Sequence, residues 1–338
     1  MSSPPIYMVP NMYYTMLVML LATSTNSRYI ISKKEDSMFK NEQIIFASDF
    51  NITRLLVPAD GNKYIHADSS DIPSIFFTIS DPKLEGGSCI YVLEGFAAYE
   101  VLEGGRDSTA DYGHDTTIFF GAKDGIYKYN SGSLSAKKYG PFRDDIVQLQ
   151  KANGSDAIYI LNNEHRIYKI EKNGTVRTRV RSVPCALEFV LDTSDNIYYL
   201  DCDDHMPHIV KSDGSLLSLT TSVVEDFKEV KLLRPAFVME NCIPFFGDGN
   251  LYILFANGTN EKKDFYLAEK PSAFSIDAAL YLVAAIDGKI YEFNVMEILL
   301  RSMFGLSTEW PRDVTKILMS IIDSTKENIN GIYKKSIS

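Results

Sequence analysis

Residues 146–219 read IVQLQKANGSDAIYILNNEHRIYKIEKNGTVRTRVRSVPCALEFVLDTSDNIYYLDCDDHMPHIVKSDGSLLSL, and this stretch decides the fold. It holds two successive units of four short strand-like segments, joined by turns rich in Asn, Asp and Gly. Four-stranded meanders repeated in this way are typical of a β-propeller, in which neighbouring blades cover both faces of each sheet. The segments are IVQLQ (146–150), AIYIL (157–161), RIYKI (166–170) and TVRTRV (175–180), then ALEFVL (186–191), NIYYL (196–200), HIV (208–210) and SLLSL (215–219).

The same pattern recurs along most of the chain. Its first three well-formed copies start about 40 residues apart, which is the length of a propeller blade. A β-sandwich, the alternative all-β architecture, predicts no such period. The sequence therefore predicts an all-β, six-bladed β-propeller over residues 28–296, with Ile118, Ile158 and Ile197 at equivalent positions. The copies begin at Thr117, Ala157, Asn196, Asn250 and Ala279, with a looser one at Ser74.

Two strand-like segments precede the first complete unit. They are IIFAS (44–48) and ITRLLV (52–57). We expect both to complete the last blade, because a ring closed in this way leaves no exposed sheet edge.

The two ends of the chain depart from the repeat. Residues 1–27 contain a short apolar run from Tyr13 to Ala22, followed by small polar residues, which predicts a signal peptide. No Lys or Arg precedes this run, so a buried apolar segment is the alternative. Residues 297–338 form a predicted tail with an amphipathic C-terminal helix, either packed on the propeller or available to a partner or membrane surface. No segment is long and apolar enough to predict a transmembrane helix.

Net charge bears on the partners of this protein, and glycosylation motifs favour an extracellular location. The net charge of −10 disfavours binding to nucleic acid, because an acidic surface repels phosphates. Four Asn-x-Ser/Thr sequons predict a glycoprotein, and three of them lie on Asn-Gly turns. The predicted glycosylation sites are Asn51, Asn153, Asn173 and Asn257.

The chain contains four cysteines, an even number that suits an oxidising compartment. If residues 192–195 form a tight turn, Cys185 and Cys202 lie opposite each other in one hairpin. We therefore predict a disulfide between them, with adjacent buried thiols as the alternative.

No motif assigns a catalytic activity. The sequence has no phosphate-binding glycine loop, zinc-finger spacing or nucleophile elbow. The densest polar cluster, residues 201–208, places two histidines three residues apart beside three carboxylates. These groups could ligate a divalent metal, but a solvated acidic loop is the commoner explanation, and we assign no metal, cofactor or catalytic residue.

Four cations suggest a binding site instead. Arg143, Arg181, Arg234 and Lys270 each occur just before the expected first strand of a blade, which predicts one basic rim suited to an anionic ligand. Phe142 and Phe237 lie close by in the sequence and could stack on a planar ring. Solvated surface charges are the alternative interpretation.

The chain also resembles a known family. IFFGAKDGIYKYNSGS (118–133) and CIYVLEGFAAYEVLEGG (89–105) are similar to segments of the lepidopteran ommochrome-binding proteins, secreted haemolymph propellers that carry tryptophan-derived pigments. Weaker similarity continues to about residue 294, and the tail after residue 296 lies outside it. The resemblance implies a secreted propeller that binds a small planar pigment, without assigning any contact residue.

The leading hypothesis is therefore a secreted binding protein, not an enzyme, for a small planar anion such as an ommochrome. Two other functions remain open because a propeller fold does not determine function. One is a metal-dependent, lactonase-like hydrolase, and the other is an interaction propeller of the yellow or royal-jelly type.

Overall fold

The computed structural model describes residues 39–58, 74–84, 86–95, 97–110, 117–217, 227–235, 239–266, 269–276 and 281–294. Within these ranges the chain forms six antiparallel sheets of four strands each, so the predicted six-bladed propeller is confirmed. Two short 3₁₀ helices, Asn41–Gln43 and Ser131–Ser133, accompany the strands.

The first three blades follow the chain in order. Blade 1 contains β2 (Asn51–Leu56), β3 (Ile75–Ser80), β4 (Ser88–Glu94) and β5 (Ala97–Glu103); blade 2 contains β6 (Gly105–Ala110), β7 (Ile118–Ala122), β8 (Gly125–Asn130) and β9 (Ser135–Tyr139); blade 3 contains β10 (Ile146–Lys151), β11 (Ile158–Asn162), β12 (Ile167–Glu171) and β13 (Val176–Arg179).

Of the remaining blades, blade 6 combines the first described strand with the last three. Blade 4 contains β14 (Ala186–Leu191), β15 (Ile197–Asp201), β16 (Pro207–Val210) and β17 (Leu216–Leu217); blade 5 contains β18 (Val230–Leu232), β19 (Cys242–Gly247), β20 (Asn250–Phe255) and β21 (Asn260–Tyr266); blade 6 contains β22 (Ala273–Ile276), β23 (Tyr281–Ile286), β24 (Lys289–Asn294) and β1 (Ile44–Ala47).

The first strand of each blade lies innermost. These six inner strands, β2, β6, β10, β14, β18 and β22, contribute the lining of a central channel. Strand direction alternates within a blade, so all inner strands begin at the same face of the ring. We call this the upper face; the opposite, lower face carries the connections from first to second and from third to fourth strands.

The predicted equivalence of three isoleucines is confirmed. Ile118, Ile158 and Ile197 each begin the second strand of their blade. Each also pairs with the last residue of the inner strand beside it, namely Ala110, Lys151 and Leu191.

The prediction that both N-terminal segments complete the last blade was correct for one of the two. As predicted, β1 closes the ring: it pairs antiparallel with β24 as the outer strand of blade 6. The prediction for 52–57 was wrong, because β2 is the inner strand of blade 1 and pairs with β3. The turn at residues 48–50 carries the chain from the outer edge of one blade to the inner edge of the next.

The hydrophobic core lies between blades rather than at one centre. Alternate residues of a strand face opposite neighbours: Tyr159 and Leu161 pack toward blade 4, whereas Ile158 and Ile160 pack toward blade 2. A strand covered on both faces needs apolar residues on both, which explains the continuous apolar triplets in the sequence. Comparable clusters join blades 1 and 2, 4 and 5, and 6 and 1.

The predicted signal peptide (1–27), the C-terminal helical tail (297–338) and Phe237 lie outside the described residues. In the part of the chain that the structure describes, no helix is long and apolar enough to cross a membrane.

Candidate functional site

The inner strands line a small cavity in the central channel that is partly open to solvent. Its volume is about 40 Å³, room for roughly two or three water molecules. A closed cavity that binds a benzene ring measures about 150 Å³, so a fused-ring pigment does not fit wholly within this space. Its charged and amide-bearing lining residues, here called the channel residues, are Arg54, Asp107, Gln148, Glu188, Lys231 and Arg234.

Four of the channel residues owe their position to a repeated β-bulge. In β2, β6, β10 and β14 the pairing register shifts immediately before the channel residue, at the same point of each inner strand. A bulge adds one residue to a strand, bends it and re-aims the side chain that follows. Its repetition through blades 1–4 turns one polar side chain per blade toward the axis. The residues aimed in this way are Arg54, Asp107, Gln148 and Glu188.

Side chains of the inner strands also link neighbouring blades. Gln148 donates from Nε2 to the carbonyl of Phe189 (2.6 Å) and accepts from its N–H (3.1 Å). Such bonds satisfy main-chain groups that no neighbouring strand reaches. The same kind of link joins Gln150 to Leu191, Asp107 to Leu149, Thr109 to Lys151 and Glu188 to Leu232.

Arg234 crosses the channel from blade 5 to blades 2 and 3. Its Nη2 donates to Asp107 Oδ2 and to the carbonyl of Leu149, and its Nη1 donates to the carbonyl of Ser108, each at 2.7 Å. The side chain of Asp107 is only 1% exposed, so Arg234 supplies the countercharge for a buried carboxylate.

The channel carries a surplus of positive charge. Lys231 Nζ donates to Glu188 Oε1 at 2.7 Å, and the Arg234–Asp107 pair accounts for the second carboxylate. Arg54 is the third cation of the lining, and its Nε lies 3.8 Å from Asp107 Oδ1, beyond hydrogen-bond distance. Three cations thus face two carboxylates in a protein of net charge −10.

The predicted rim cations occupy two different places. Arg143, Arg181 and Lys270 precede β10, β14 and β22 and are exposed at the upper face. Lys270 binds Glu229, whereas neither arginine forms an ion pair with the described residues. Their role in ligand binding stays a prediction.

Arg234 does not belong with the other three, and the prediction of one four-membered rim was wrong. The inner strand of blade 5 is Val230–Leu232, so Arg234 follows it instead of preceding it. Its side chain therefore enters the channel from the lower end, where it has a structural partner in Asp107.

Phe142 is partly buried and packs against the core between blades 2 and 3. Its ring therefore contributes to packing of the two blades, and stacking of a ligand on it stays a prediction.

The predicted disulfide is confirmed. Cys185 and Cys202 are bonded, with their Cα atoms 5.6 Å apart. In the middle of the hairpin Phe189 pairs with Tyr199, and an unbroken continuation of this register would place Cys185 opposite Asp203. The bulge in β14 shifts the pairing by one residue, so Cys185 lies opposite Cys202 instead. The other two cysteines, Cys89 and Cys242, are buried thiols, and burial raises the pKa of each to about 12.

The acidic loop at residues 201–208 forms local contacts. His208 Nε2 lies 2.9 Å from Asp204 Oδ2, and Asp201 accepts from the main-chain N–H of Asp203. Across the described ranges, no group of three or more His, Cys, Asp or Glu side chains is arranged to hold a metal ion. This geometry fits the solvated-loop interpretation.

All four predicted glycosylation sites are exposed. Asn153, Asn173 and Asn257 lie in connections of the lower face, whereas Asn51 begins β2 at the upper face. Attachment of glycans to them stays a prediction.

Sequence reasoning missed every channel residue except Arg234. A usable signal was present: the inner strands carry a polar residue inside an apolar run, as in Ile146-Val147-Gln148 and Ala186-Leu187-Glu188. Recognising it requires knowing which of the four strands of a blade is innermost, and that information comes from the ring.

No protein-family model matches the chain, and no curated protein matches its sequence. Several solved structures are similar to the chain at low sequence identity. A streptogramin B lyase is 12% identical with a TM-score of 0.47, covering 72% of this chain and 93% of its own. A gluconolactonase from Xanthomonas campestris is 8% identical with a TM-score of 0.49, covering 74% and 87%. The extracellular domain of a one-component system from B. thetaiotaomicron is 12% identical with a TM-score of 0.45, covering 72% and 32%.

Proposed function

We propose that this propeller is a secreted binding protein for a small planar anion of the ommochrome type, held at the upper face above the channel. The observation that carries the proposal is the cationic channel. Three cations face two carboxylates there, in a protein whose overall charge is −10. Such a local surplus attracts an anion to one place on an otherwise repelling surface.

The upper face offers both kinds of contact that a planar anion needs. Arg143 and Arg181 are exposed there and provide positive charge. Phe50, immediately before β2, and Leu187, in the bulge of β14, are exposed large apolar side chains at the same face. Exposed ion pairs contribute only about 0–1 kcal/mol each, so burial of the ligand's rings supplies most of the affinity.

The distribution of sequons supports ligand access from above. Asn153, Asn173 and Asn257 lie at the lower face, so three of the four predicted glycans point away from the proposed site. The Cys185–Cys202 disulfide supports secretion, because such bonds persist in oxidising compartments.

The channel carboxylates favour binding over hydrolysis. Asp107 Oδ2 accepts from Arg234 and from the N–H of Leu149, and Glu188 accepts from Lys231 and from the N–H of Leu232. A general base must reach the proton that it abstracts. Here Asp107 Oδ2 and both carboxylate oxygens of Glu188 are engaged in holding the inner strands together.

The experiment is a titration with xanthommatin, followed by absorbance at low and high salt. The test variant is Arg143→Ala/Arg181→Ala. The charge-matched control is Lys128→Ala/Lys137→Ala, which removes two exposed lysines that lie opposite each other on the neighbouring strands β8 and β9. We expect weaker binding only in the arginine variant, with a larger deficit at low salt because salt screens exposed charges. Equal affinity of both variants would remove the two arginines from the site, and absence of binding by the unmodified protein would refute the pigment proposal.

A further inference from the structure

Arg54 is the least engaged of the three channel cations. Its Nη1 donates to the carbonyl of Thr53 at 3.3 Å, and its Nε lies 3.8 Å from Asp107 Oδ1. A guanidinium has five N–H donors, so most of those of Arg54 remain available. By contrast, Arg234 makes three bonds of 2.7 Å with its two terminal nitrogens.

The side chain of Arg54 is accessible as well as charged. It lines the cavity and is 27% exposed, so a ligand reaches it without opening the core. A planar guanidinium with free donors binds a carboxylate through two parallel hydrogen bonds. Arg54 therefore carries both the unbalanced positive charge of the channel and its free N–H donors.

A second feature lies beside it, on the partner of Arg54. Asp107 Oδ1 is buried and has no hydrogen-bond partner, although Asp107 Oδ2 has two. A buried acceptor without a donor costs about 1–3 kcal/mol, and more when it is charged. Asp107 also lines the cavity, so a small shift of its side chain would let this oxygen accept from a donor held there.

We infer that the channel binds a small carboxylate that carries a hydrogen-bond donor on the neighbouring carbon, as α-amino acids and α-hydroxy acids do. The carboxylate binds the free donors of Arg54, and the ammonium or hydroxyl group donates to Asp107 Oδ1. The cavity of about 40 Å³ accommodates two or three water molecules, so it takes part of this head group, and the rest of the ligand extends into the open mouth of the channel. This site is separate from the proposed contacts of a pigment with Arg143 and Arg181, and its ligands need no ring.

Equilibrium dialysis with radiolabelled alanine, lactate and propionate tests the inference. The three probes are similar in size, and only propionate lacks the donor that Asp107 Oδ1 would accept. We expect alanine and lactate to bind saturably and propionate to bind about tenfold more weakly, because one charge-assisted hydrogen bond is lost. Alanine binding much more tightly than lactate would assign the site to amino acids, and the reverse order to hydroxy acids.

Variants of Arg54 test the carboxylate contact. Arg54→Gln should reduce binding of both ligands at least about tenfold, and Arg54→Lys should restore part of it, because lysine keeps the charge without the planar fork. Lys128→Gln, an exposed change in blade 2, is the control and should bind as the unmodified protein does. Equal binding of all three probes, unchanged binding by Arg54→Gln, or no saturable binding by the unmodified protein would each overturn the inference, whatever the result with xanthommatin.

Discussion

Arg234 and Asp107 are 127 positions apart in the chain, yet Arg234 Nη2 lies 2.7 Å from Asp107 Oδ2 across the central channel. Asp107 belongs to the inner strand of blade 2, and Arg234 follows the inner strand of blade 5. The pair therefore ties together blades on different sides of the ring, and it places a full positive charge beside a carboxylate that solvent scarcely reaches.

Replacement of Arg234 by Ala should destabilise the fold by about 3 kcal/mol, because it leaves the buried charge of Asp107 with only the more distant Arg54. This value is at the lower end for a broken buried pair, since the Arg234 side chain is 22% exposed. Urea denaturation gives the free energy of unfolding, and the exposed Lys128→Ala control should change it by less than about 0.5 kcal/mol.

A double-mutant cycle separates the ion pair from loss of packing. In Asp107→Asn/Arg234→Ala the buried group is neutral, so the loss should be smaller than the sum of the two single losses. Strictly additive losses would show that charge pairing does not explain the effect.

The turn between β23 and β24 approaches the chain after β1 closely at a glycine. Gly288 has a φ of +75°, and a Cβ atom there would lie 2.3 Å from the carbonyl oxygen of Ser48. Gly288→Ala should therefore displace β1 from β24, with faster amide exchange in β24 as the readout. Gly154→Ala is the matched control: its φ is +63° and nothing lies within 4 Å, so it should cost only the backbone penalty of about 1–2 kcal/mol. Equal losses for the two variants would contradict the proposed clash.

The disulfide should contribute measurably to stability. Cys185 and Cys202 are 17 positions apart, and closing a loop of this length is worth about 3 kcal/mol in the chain-entropy model. Cys185→Ser/Cys202→Ser should lower the urea midpoint accordingly.

In the native protein, alkylation should leave Cys89 and Cys242 unmodified, because both thiols are buried and their pKa values are raised to about 12. Rapid labelling of four thiols would contradict the assignment.

Glu292 should make stability depend on pH. Burial raises the pKa of its carboxyl above the ordinary value, although a hydrogen bond from Tyr281 opposes the shift. The folded state thus holds this proton more tightly than the unfolded state, so stability falls as pH rises through the two pKa values. Glu292→Gln should be more stable than the unmodified protein at pH 7, with no such gain below the unfolded pKa of about 4.

Tyr281→Phe provides the matched variant for this test. It removes the bond that favours the ionised carboxylate, so its loss of stability should be larger at pH 7 than in acid. Urea midpoints at the two pH values measure both variants, and pH-independent differences would show that Glu292 does not titrate in this range.

The sequence alone determined the fold and several local relationships within it. Recurring apolar triplets, the first three well-formed copies about 40 residues apart, predicted six blades and the equivalence of Ile118, Ile158 and Ile197, because every blade needs two apolar faces. The pairing of Cys185 with Cys202 was also predictable, since both lie in one hairpin and are near each other along the chain.

Tertiary structure alone decided the channel. Arg54, Asp107, Glu188 and Arg234 come from four different blades, and they become neighbours only when the ring closes. Local sequence does not reveal which strand of a blade is innermost, where a bulge re-aims a side chain, or that Arg234 follows its strand. The physical reason is that strand patterns report burial on the two faces of a sheet, whereas the channel is built from the edges of six sheets.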